Sequence, residues 1–438
     1  MTAPFPARHA RARGQRLRLV VLALMVIILA ALITVLVVRV TAGQPGQQAQ
    51  PGKPGQPGQL PSTLAVAPLM SQAEAGGNVS LGRDCGYSAP LPADSRESLW
   101  LFCDTPVYSR QANGNWAFTQ FISGSTAAVG AAAAGPGPGI TEPGTLTETG
   151  TPRAAGPGPQ PADGPTAPGV LAPFLATPSG LITSTGLPCG NGSGSYAASW
   201  VSGVTRVPST PDLLITFNNY CVIIRTGAPE PEGFGLAEYD PATRTLSHEA
   251  TVFGGAAGSL SGAPALGSPV FSGPYLYLYG ADCPAPAHGH CGGTLVEARV
   301  PANPRAWADP VRYQWRSTGP SGPWSSDPSA ATPLIAGPGP VSAVDVAGYA
   351  AAGHEFVAIE QLGVAGSFTV FQAPAPTGPW TRITSGQVSC RSAHPGYASF
   401  CRAIIGHPEL STRDELVLSY FDPAVGPAGH VMVEGFRW

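Results

Sequence analysis

The amino-acid sequence predicts an all-β fold preceded by one N-terminal transmembrane helix. The 438 residues include 56 Gly and 49 Pro, which helix interiors tolerate poorly, so long helical bundles and coiled coils are excluded. Hydrophobic residues make up 43% of the chain, too many for a wholly disordered protein. After residue 62, short apolar runs rich in β-branched and aromatic residues alternate with turn residues, a pattern typical of strands.

Five of these runs are alike and recur along the chain. They start at residues 99, 213, 275, 356 and 416, and each ends in a polar side chain. The first interval is longer than the others because it contains an Ala/Gly/Pro tract at about 127–180; without that tract, all intervals are about 60–80 residues. A repeat of this length with about four strands predicts a five-bladed β-propeller over 62–438, closed by pairing of strand 430–436 with N-terminal strands. A β-sandwich is the alternative, but its strands recur about every 8–12 residues.

The tract at about 127–180 offers few large apolar side chains. We therefore expect it to be a low-complexity insertion outside the core, either a tolerated surface loop or a segment that touches substrate.

The N-terminal region divides into three segments. Residues 1–18 form a basic tip, and residues 19–38 are 20 uncharged, mostly aliphatic residues, long enough for a hydrocarbon core of about 30 Å. Because five Arg precede this run and only Arg39 follows closely, we expect a single-pass anchor with a cytoplasmic N-terminus and an extracellular C-terminal domain. The alternative is a signal peptide cleaved after Val40-Thr41-Ala42, although 20 residues exceed its usual apolar length of about 7–15.

Residues 39–61 form a Gly/Pro/Gln-rich segment that resembles a short, interrupted collagen repeat. A trimerising stalk is one interpretation, but so few triplets favour an extended spacer that holds a monomeric domain away from the membrane. Beyond residue 43 the chain carries 17 basic residues against 26 acidic ones, which argues against a nucleic-acid partner.

All eight cysteines follow the predicted anchor, where disulfides persist. Eight cysteines allow 105 pairings, but neighbours in the sequence pair most simply. A zinc site between Cys283 and Cys291, which flank His288 and His290, is the alternative for that pair; without a C-x2-C spacing we expect no metal and no cofactor. The expected pairs are Cys85–Cys103, Cys189–Cys221, Cys283–Cys291 and Cys390–Cys401.

The first repeat holds the densest set of candidate catalytic groups. Asp84 and Asp104 lie 20 residues apart on what should be adjacent antiparallel strands, beside the expected Cys85–Cys103 bridge. Two facing carboxylates are what glycoside hydrolysis requires, since one protonates the leaving oxygen and the other activates water or attacks the sugar. In the structural alternative, Asp104 caps a turn and Asp84 pairs with Arg83.

From about Ser80 to Trp438, the chain resembles five-bladed propellers related to arabinanases and other furanosidases, and more closely actinobacterial propellers of an uncharacterised-domain family with endo-D-arabinanase-like members. The resemblance implies that Asp84 and Asp104 match catalytic acids and that His407 and Glu409 face the central channel near a substrate or cation. The residues that carry it are RDCGYS (83–88), LWLFCDT (99–105), Gly-Pro-Trp at 322–324 and 378–380, GHPELS (406–411) and LVLSYFDP (416–423).

These observations lead to two functional hypotheses. The first is a membrane-anchored, exported propeller that recognises and hydrolyses an arabinan-like furanoside polysaccharide of the cell envelope. In it, Asp84 and Asp104 are the acid and the base or nucleophile, and substrate is bound by Tyr87, Trp100, His407 and Glu409. The second is a non-catalytic propeller that binds glycan or a partner protein at the outer surface.

Overall fold

The protein is described here by a computed structural model. The predicted basic tip, transmembrane segment 19–38 and spacer 39–61 lie outside the described residues, and no helix within those residues is long and apolar enough to cross a membrane. The described ranges are 63–92, 96–131, 146–149, 153–154, 171–183, 186–190, 194–254, 265–281, 295–317, 322–335, 341–391 and 400–438.

The regular secondary structure of the described residues is almost entirely β-strand, with one short helix and three single turns of 3-10 helix, as the all-β prediction requires. The strands are β1 (Thr63–Pro68), β2 (Val79–Leu81), β3 (Cys85–Pro90), β4 (Glu97–Phe102), β5 (Thr105–Arg110), β6 (Trp116–Ile122), β7 (Thr126–Ala131), β8 (Thr147–Glu148), β9 (Arg153–Ala154), β10 (Ser195–Arg206), β11 (Leu213–Ile223), β12 (Ala228–Asp240), β13 (Thr245–Gly254), β14 (Gly267–Ser272), β15 (Tyr275–Ala281), β16 (Leu295–Pro301), β17 (Gln314–Arg316), β18 (Trp324–Ser325), β19 (Val341–Gly348), β20 (Phe356–Leu362), β21 (Ser367–Ala373), β22 (Thr381–Gln387), β23 (Arg402–Gly406), β24 (Glu415–Asp422) and β25 (His430–Arg437). The helix is α1 (Pro304–Trp307), and the 3-10 turns are Pro310–Arg312, Pro328–Ala330 and Ala350–Ala352.

These strands build five sheets of four or five strands and one smaller sheet. Sheet 1 has the order β3-β4-β7-β8, sheet 2 β10-β11-β12-β13-β9, sheet 3 β14-β15-β16-β17-β18, sheet 4 β19-β20-β21-β22 and sheet 5 β23-β24-β25-β1. In the accessory sheet, β2-β5-β6, β2 precedes β3 in the chain, and β5 and β6 lie between β4 and β7.

The five large sheets follow one another in a closed ring. Their first strands contact each other in the cyclic order β3, β10, β14, β19, β23 and back to β3. A hydrophobic cluster fills each of the five gaps, because every sheet buries both faces against its neighbours. One contributor from each side of each gap is Leu99 with Leu213, Leu214 with Leu276, Tyr279 with Ala358, Ile359 with Leu418, and Val431 with Trp100.

The repeated apolar runs all occupy the same position in this ring. They are β4, β11, β15, β20 and β24, the second strand of each sheet rather than the innermost one. They are the most apolar strands because neighbouring sheets cover both of their faces and flanking strands of the same sheet cover both of their edges. The predicted closure is also confirmed: β1 pairs antiparallel with β25, opposing Val66 to Glu434 and Pro68 to Met432.

The expectation that residues 127–180 lie outside the core is wrong for part of that tract. β7 is an inner strand of sheet 1, and Leu146, Phe174 and Leu175 are buried. Three large apolar side chains are enough to fill this part of the core because the small residues of β7 let Leu146 approach closely. A Cβ on Gly130 would lie only 2.2 Å from Leu146 Cδ2.

Candidate active site

Asp84 and Asp104 lie together at one end of sheet 1. The backbone N–H of Cys103 donates to the carbonyl oxygen of Asp84 at 2.9 Å, so the two acidic residues flank a strand pair. The Cys85–Cys103 disulfide joins those strands, with 5.5 Å between the two Cα atoms. Cys189–Cys221 and Cys390–Cys401 are also formed, which confirms three expected bridges; Cys283 and Cys291 lie outside the described residues.

A β-bulge lies at the start of β3, immediately after Asp84. The register with β4 shifts between Cys85 and Tyr87. Cys85 has φ +64° and Gly86 φ +117°, and a Cβ on Gly86 would lie 3.1 Å from Val431 Cγ1. Such bulges redirect side chains, and a non-glycine residue with positive φ is a strained conformation that often marks a functional site.

The Asp84 carboxylate forms an ion pair with Arg402, the first residue of β23. Arg402 Nη2 lies 2.7 Å and Nε 3.1 Å from Asp84 Oδ2. The guanidinium also stacks over Phe421 and Phe400, at 4.5 and 5.0 Å from the ring centres. The expected structural pairing of Asp84 with Arg83 is wrong, because Arg83 turns into the core and pairs with Glu148.

Asp104 has a different environment, although it belongs to the same cluster of charges. Tyr196 donates from its hydroxyl to Oδ2 at 2.5 Å, and the Gly124 N–H donates to Oδ1 at 2.8 Å. Burial is the largest influence and raises the pKa of Asp104, hydrogen bonds to the carboxylate lower it, and the charge of Asp84 raises it slightly, so that the resulting pKa is about 6. The residue is half-buried and keeps some contact with solvent.

The cluster therefore contains two neighbouring carboxyl groups with unlike chemistry. Asp84 forms an ion pair with the guanidinium of Arg402, whereas Asp104 is bonded by a hydroxyl and a backbone N–H and has a pKa raised to about 6. Two carboxyl groups whose environments differ in this way can act as a base and an acid in one reaction.

Two of the predicted substrate-binding residues are inaccessible, so that prediction is corrected. Trp100 and His407 are both 0% exposed, and their rings are 4.9 Å apart in the gap between sheets 1 and 5. Burial lowers the pKa of His407 to about 3. The Ser88 hydroxyl donates to Glu409 and lies 2.6 Å from His407 Nδ1, which gives the neutral imidazole a partner inside the core.

Tyr87 and Glu409 instead line a cavity of about 490 Å³ on the ring axis. It follows the later halves of the innermost strands, so the cavity and the Asp84–Asp104 pair lie at opposite ends of β3. Asp345 of β19 is a further buried acid there, accepting from Gly406 N–H at 2.8 Å and lying 3.2 Å from Ser268 Oγ. Burial raises the pKa of Asp345 to about 6.

Asp345, Tyr196 and Arg402 were all missed at the sequence level. Each lies on an innermost strand, whereas the sequence pattern indicated polar residues at the ends of the repeated apolar runs, which are second strands. The one local signal was a lone carboxylate within the apolar segment VSAVDVAG of β19.

Comparison with known proteins yields no family model and no curated relative that matches this chain. Among solved structures, a putative hydrolase from Bacteroides ovatus has a TM-score of 0.46 and 14% identity, covering 81% of this chain and 85% of its own. A GH43_1 enzyme from Xanthomonas citri complexed with xylose has a TM-score of 0.40 and 11% identity, and the match covers 85% of this chain and 90% of that enzyme. An α-L-arabinofuranosidase from Fusarium graminearum has a TM-score of 0.32 and 12% identity, and the match covers 86% of this chain and 77% of that enzyme. With TM-scores below 0.5, these similarities establish neither a shared fold nor a shared activity.

Proposed function

We propose that this protein is a membrane-anchored, exported β-propeller that recognises and hydrolyses a furanoside polysaccharide of the cell envelope. Five blades correspond to the five sheets of the closed ring, and the accessory sheet is an insertion in the first blade. Export is supported by three disulfides, which persist outside the reducing cytoplasm. Residues 19–38 supply the anchor.

The observation that carries the catalytic proposal is the contrast between Asp84 and Asp104. Asp104, with its pKa raised to about 6, is the general acid that gives a proton to the leaving glycosidic oxygen. Asp84, which forms an ion pair with Arg402, is either the base that removes a proton from water or the nucleophile at the anomeric carbon. Tyr196 and Arg402 position these two groups.

A second candidate function is binding of a glycan without hydrolysis. The observation that favours it is the double contact of Arg402 with one oxygen of Asp84, which occupies part of the carboxylate that catalysis needs free. In this case, the same cluster presents hydroxyl, guanidinium and carboxylate groups to sugar hydroxyls.

Hydrolysis of defined polysaccharides by the full-length chain separates the two functions. We expect release of oligosaccharides from arabinan or arabinogalactan, with losses of at least about 100-fold for Asp84→Asn and for Asp104→Asn, the usual scale for a general acid or base. Asp414→Asn, an exposed carboxylate on the loop before β24, is the matched control and should retain full activity. No product from the unaltered chain, or equal product from all four proteins, would refute the catalytic proposal and leave glycan binding.

The anchor is tested separately. After an alkaline carbonate wash, the full-length chain should stay with the membrane fraction, and release into the supernatant would contradict a spanning segment at 19–38.

A further inference from the structure

The accessory sheet carries an exposed row of aromatic side chains. Phe118 is 57% exposed and Phe121 is 41% exposed, both on the edge strand β6. Tyr108 of β5 lies directly opposite Phe118, and their rings meet edge to face with centres 5.8 Å apart. We call Tyr108, Phe118 and Phe121 the aromatic platform.

A β-bulge puts the two phenylalanines on the same face. Side chains alternate along a regular strand, so residues 118 and 121 would point to opposite faces. The register between β5 and β6 passes from Val107–Gln120 to Tyr108–Phe118, which leaves Thr119 as an extra residue. The extra residue reverses the alternation, and the phenylalanines then stand roughly 7 Å apart along one face.

This platform is continuous with the acid pair. β5 begins at Thr105, immediately after Asp104. The Phe121 ring packs edge to face on Tyr196 with 5.1 Å between ring centres, and the Tyr196 hydroxyl binds Asp104.

An exposed aromatic ring also lies on the other side of the acid pair. Arg402, the partner of Asp84, stacks on Phe400, which is 43% exposed. Exposed aromatic rings therefore lie on both sides of the two carboxyl groups.

Clustered, exposed aromatic side chains are uncommon on soluble proteins unless they bind something. The C–H faces of sugar rings are apolar and pack on aromatic rings, while the sugar hydroxyls stay in water or reach polar side chains. An extended chain of sugars matches a row of rings that continues towards a pair of carboxyl groups, whereas a single small ligand would need an enclosed pocket.

We propose that the aromatic platform binds the polysaccharide strand whose scissile or recognised residue lies at Asp84 and Asp104. The inference rests on the proposed function for the location of that residue, and it adds a glycan subsite on the accessory sheet. Phe118 and Phe121 pack on successive sugar units, and Tyr196 joins the platform to the acid pair.

Affinity electrophoresis tests the platform without hydrolysis. The full-length chain carrying Asp84→Asn and Asp104→Asn is run in native gels containing arabinan, arabinogalactan or xylan, and its retardation gives a dissociation constant. We expect at least one polysaccharide to retard it, and we expect Phe118→Ala with Phe121→Ala to weaken binding about tenfold or more, the scale of losing an aromatic contact. Replacing both residues with Trp should preserve retardation, and so should Val311→Ala, which removes exposed apolar surface from the distant 3-10 turn Pro310–Arg312.

The outcomes separate this inference from the proposed function. Unchanged retardation of the double alanine variant overturns the platform, even if the unaltered chain hydrolyses a polysaccharide. Lost retardation, with an unchanged melting temperature, supports the platform even if no polysaccharide is hydrolysed. The platform is also overturned if none of the three polysaccharides retards the protein. It is overturned as well if the alanine variant changes its oligomeric state and that change accounts for its mobility, which would indicate edge-strand pairing between two copies instead.

Discussion

The Tyr196 hydroxyl donates a hydrogen bond to Asp104 Oδ2 at 2.5 Å, across the gap between the first two sheets of the ring. Tyr196 begins an innermost strand and Asp104 follows a second strand, so the contact exists only when the two sheets are adjacent. It links the acid group of the proposed reaction to the aromatic row of the accessory sheet.

Tyr196→Phe should raise the pKa of Asp104. Burial holds this pKa at about 6 in the protein, and the Tyr196 hydrogen bond lowers it by stabilising the carboxylate. Without that bond, the pKa should move up by about one unit, equivalent to about 1.4 kcal/mol. Because the acid acts in its protonated form, the alkaline limb of the pH profile for hydrolysis should move to higher pH, as should an NMR titration of the carboxyl carbon.

Tyr220→Phe is the control for this change, since Tyr220 is also a half-buried tyrosine, lies on the strand that pairs with β10, and is not among the hydrogen-bond partners of Asp104. An unshifted or lowered Asp104 titration in Tyr196→Phe would contradict the assigned role of the hydrogen bond.

Replacing Glu360 with Met should stabilise the protein above neutral pH. Glu360 is 1% exposed and neither carboxyl oxygen has a hydrogen-bond partner, so burial raises its pKa to about 7. A raised carboxyl pKa favours the folded state at low pH, and this advantage is lost as pH rises from about 4.3 through 7. At pH 8 the unaltered protein should therefore be less stable than the Met variant by up to about 3 kcal/mol.

Denaturant unfolding at pH 5 and pH 8 measures this effect. The difference between the two pH values should shrink in Glu360→Met and persist in Glu355→Met, whose side chain is exposed beside the same strand. An equal pH dependence in both variants would show that Glu360 is not the titrating group.

Glu148→Gln should destabilise the fold although it lies in a low-complexity tract. Glu148 pairs with Arg83, and the two side chains are only 2% and 4% exposed. Removing one partner leaves a buried charge, which typically costs about 3–5 kcal/mol. Asp309→Asn, which breaks an exposed pair with Arg312, should cost less than about 1 kcal/mol in the same denaturant titration. A similar small cost for both changes would mean that the tract contributes little to stability.

The Cys85–Cys103 bridge should matter more for activity than its stability contribution suggests. It spans 18 residues and Cys189–Cys221 spans 32, so replacing either pair with Ala should cost about 3 kcal/mol. Only the first bridge ties together the strands that carry Asp84 and Asp104, so only its loss should lower hydrolysis at temperatures where both variants remain folded. Equal activity losses in the two variants would indicate a general effect on the fold.

Much of the repeat architecture was predictable because it is local. Second strands covered on both sides must be continuously apolar, and this pattern recurs wherever a new sheet begins. The tract at 127–180 was misjudged for a related reason: composition counts large apolar residues, whereas close packing of Ala127, Gly130 and Leu146 depends on how near two strands can approach. Trp100 and His407 have chemically suitable side chains, but burial between two sheets cannot be inferred from a motif.

The sequence by itself determined that the chain is built of repeated strands, that its last strand closes the ring, and that Asp84 and Asp104 lie beside one disulfide. Adjacent strands and short disulfide loops are local features, so spacing predicts them. Only the tertiary structure decided the chemistry of the pair: Tyr196 lies 92 residues from Asp104, and Arg402 lies 318 residues from Asp84. Ring closure brings these groups together, and the resulting burial and hydrogen bonds give two chemically identical side chains different environments.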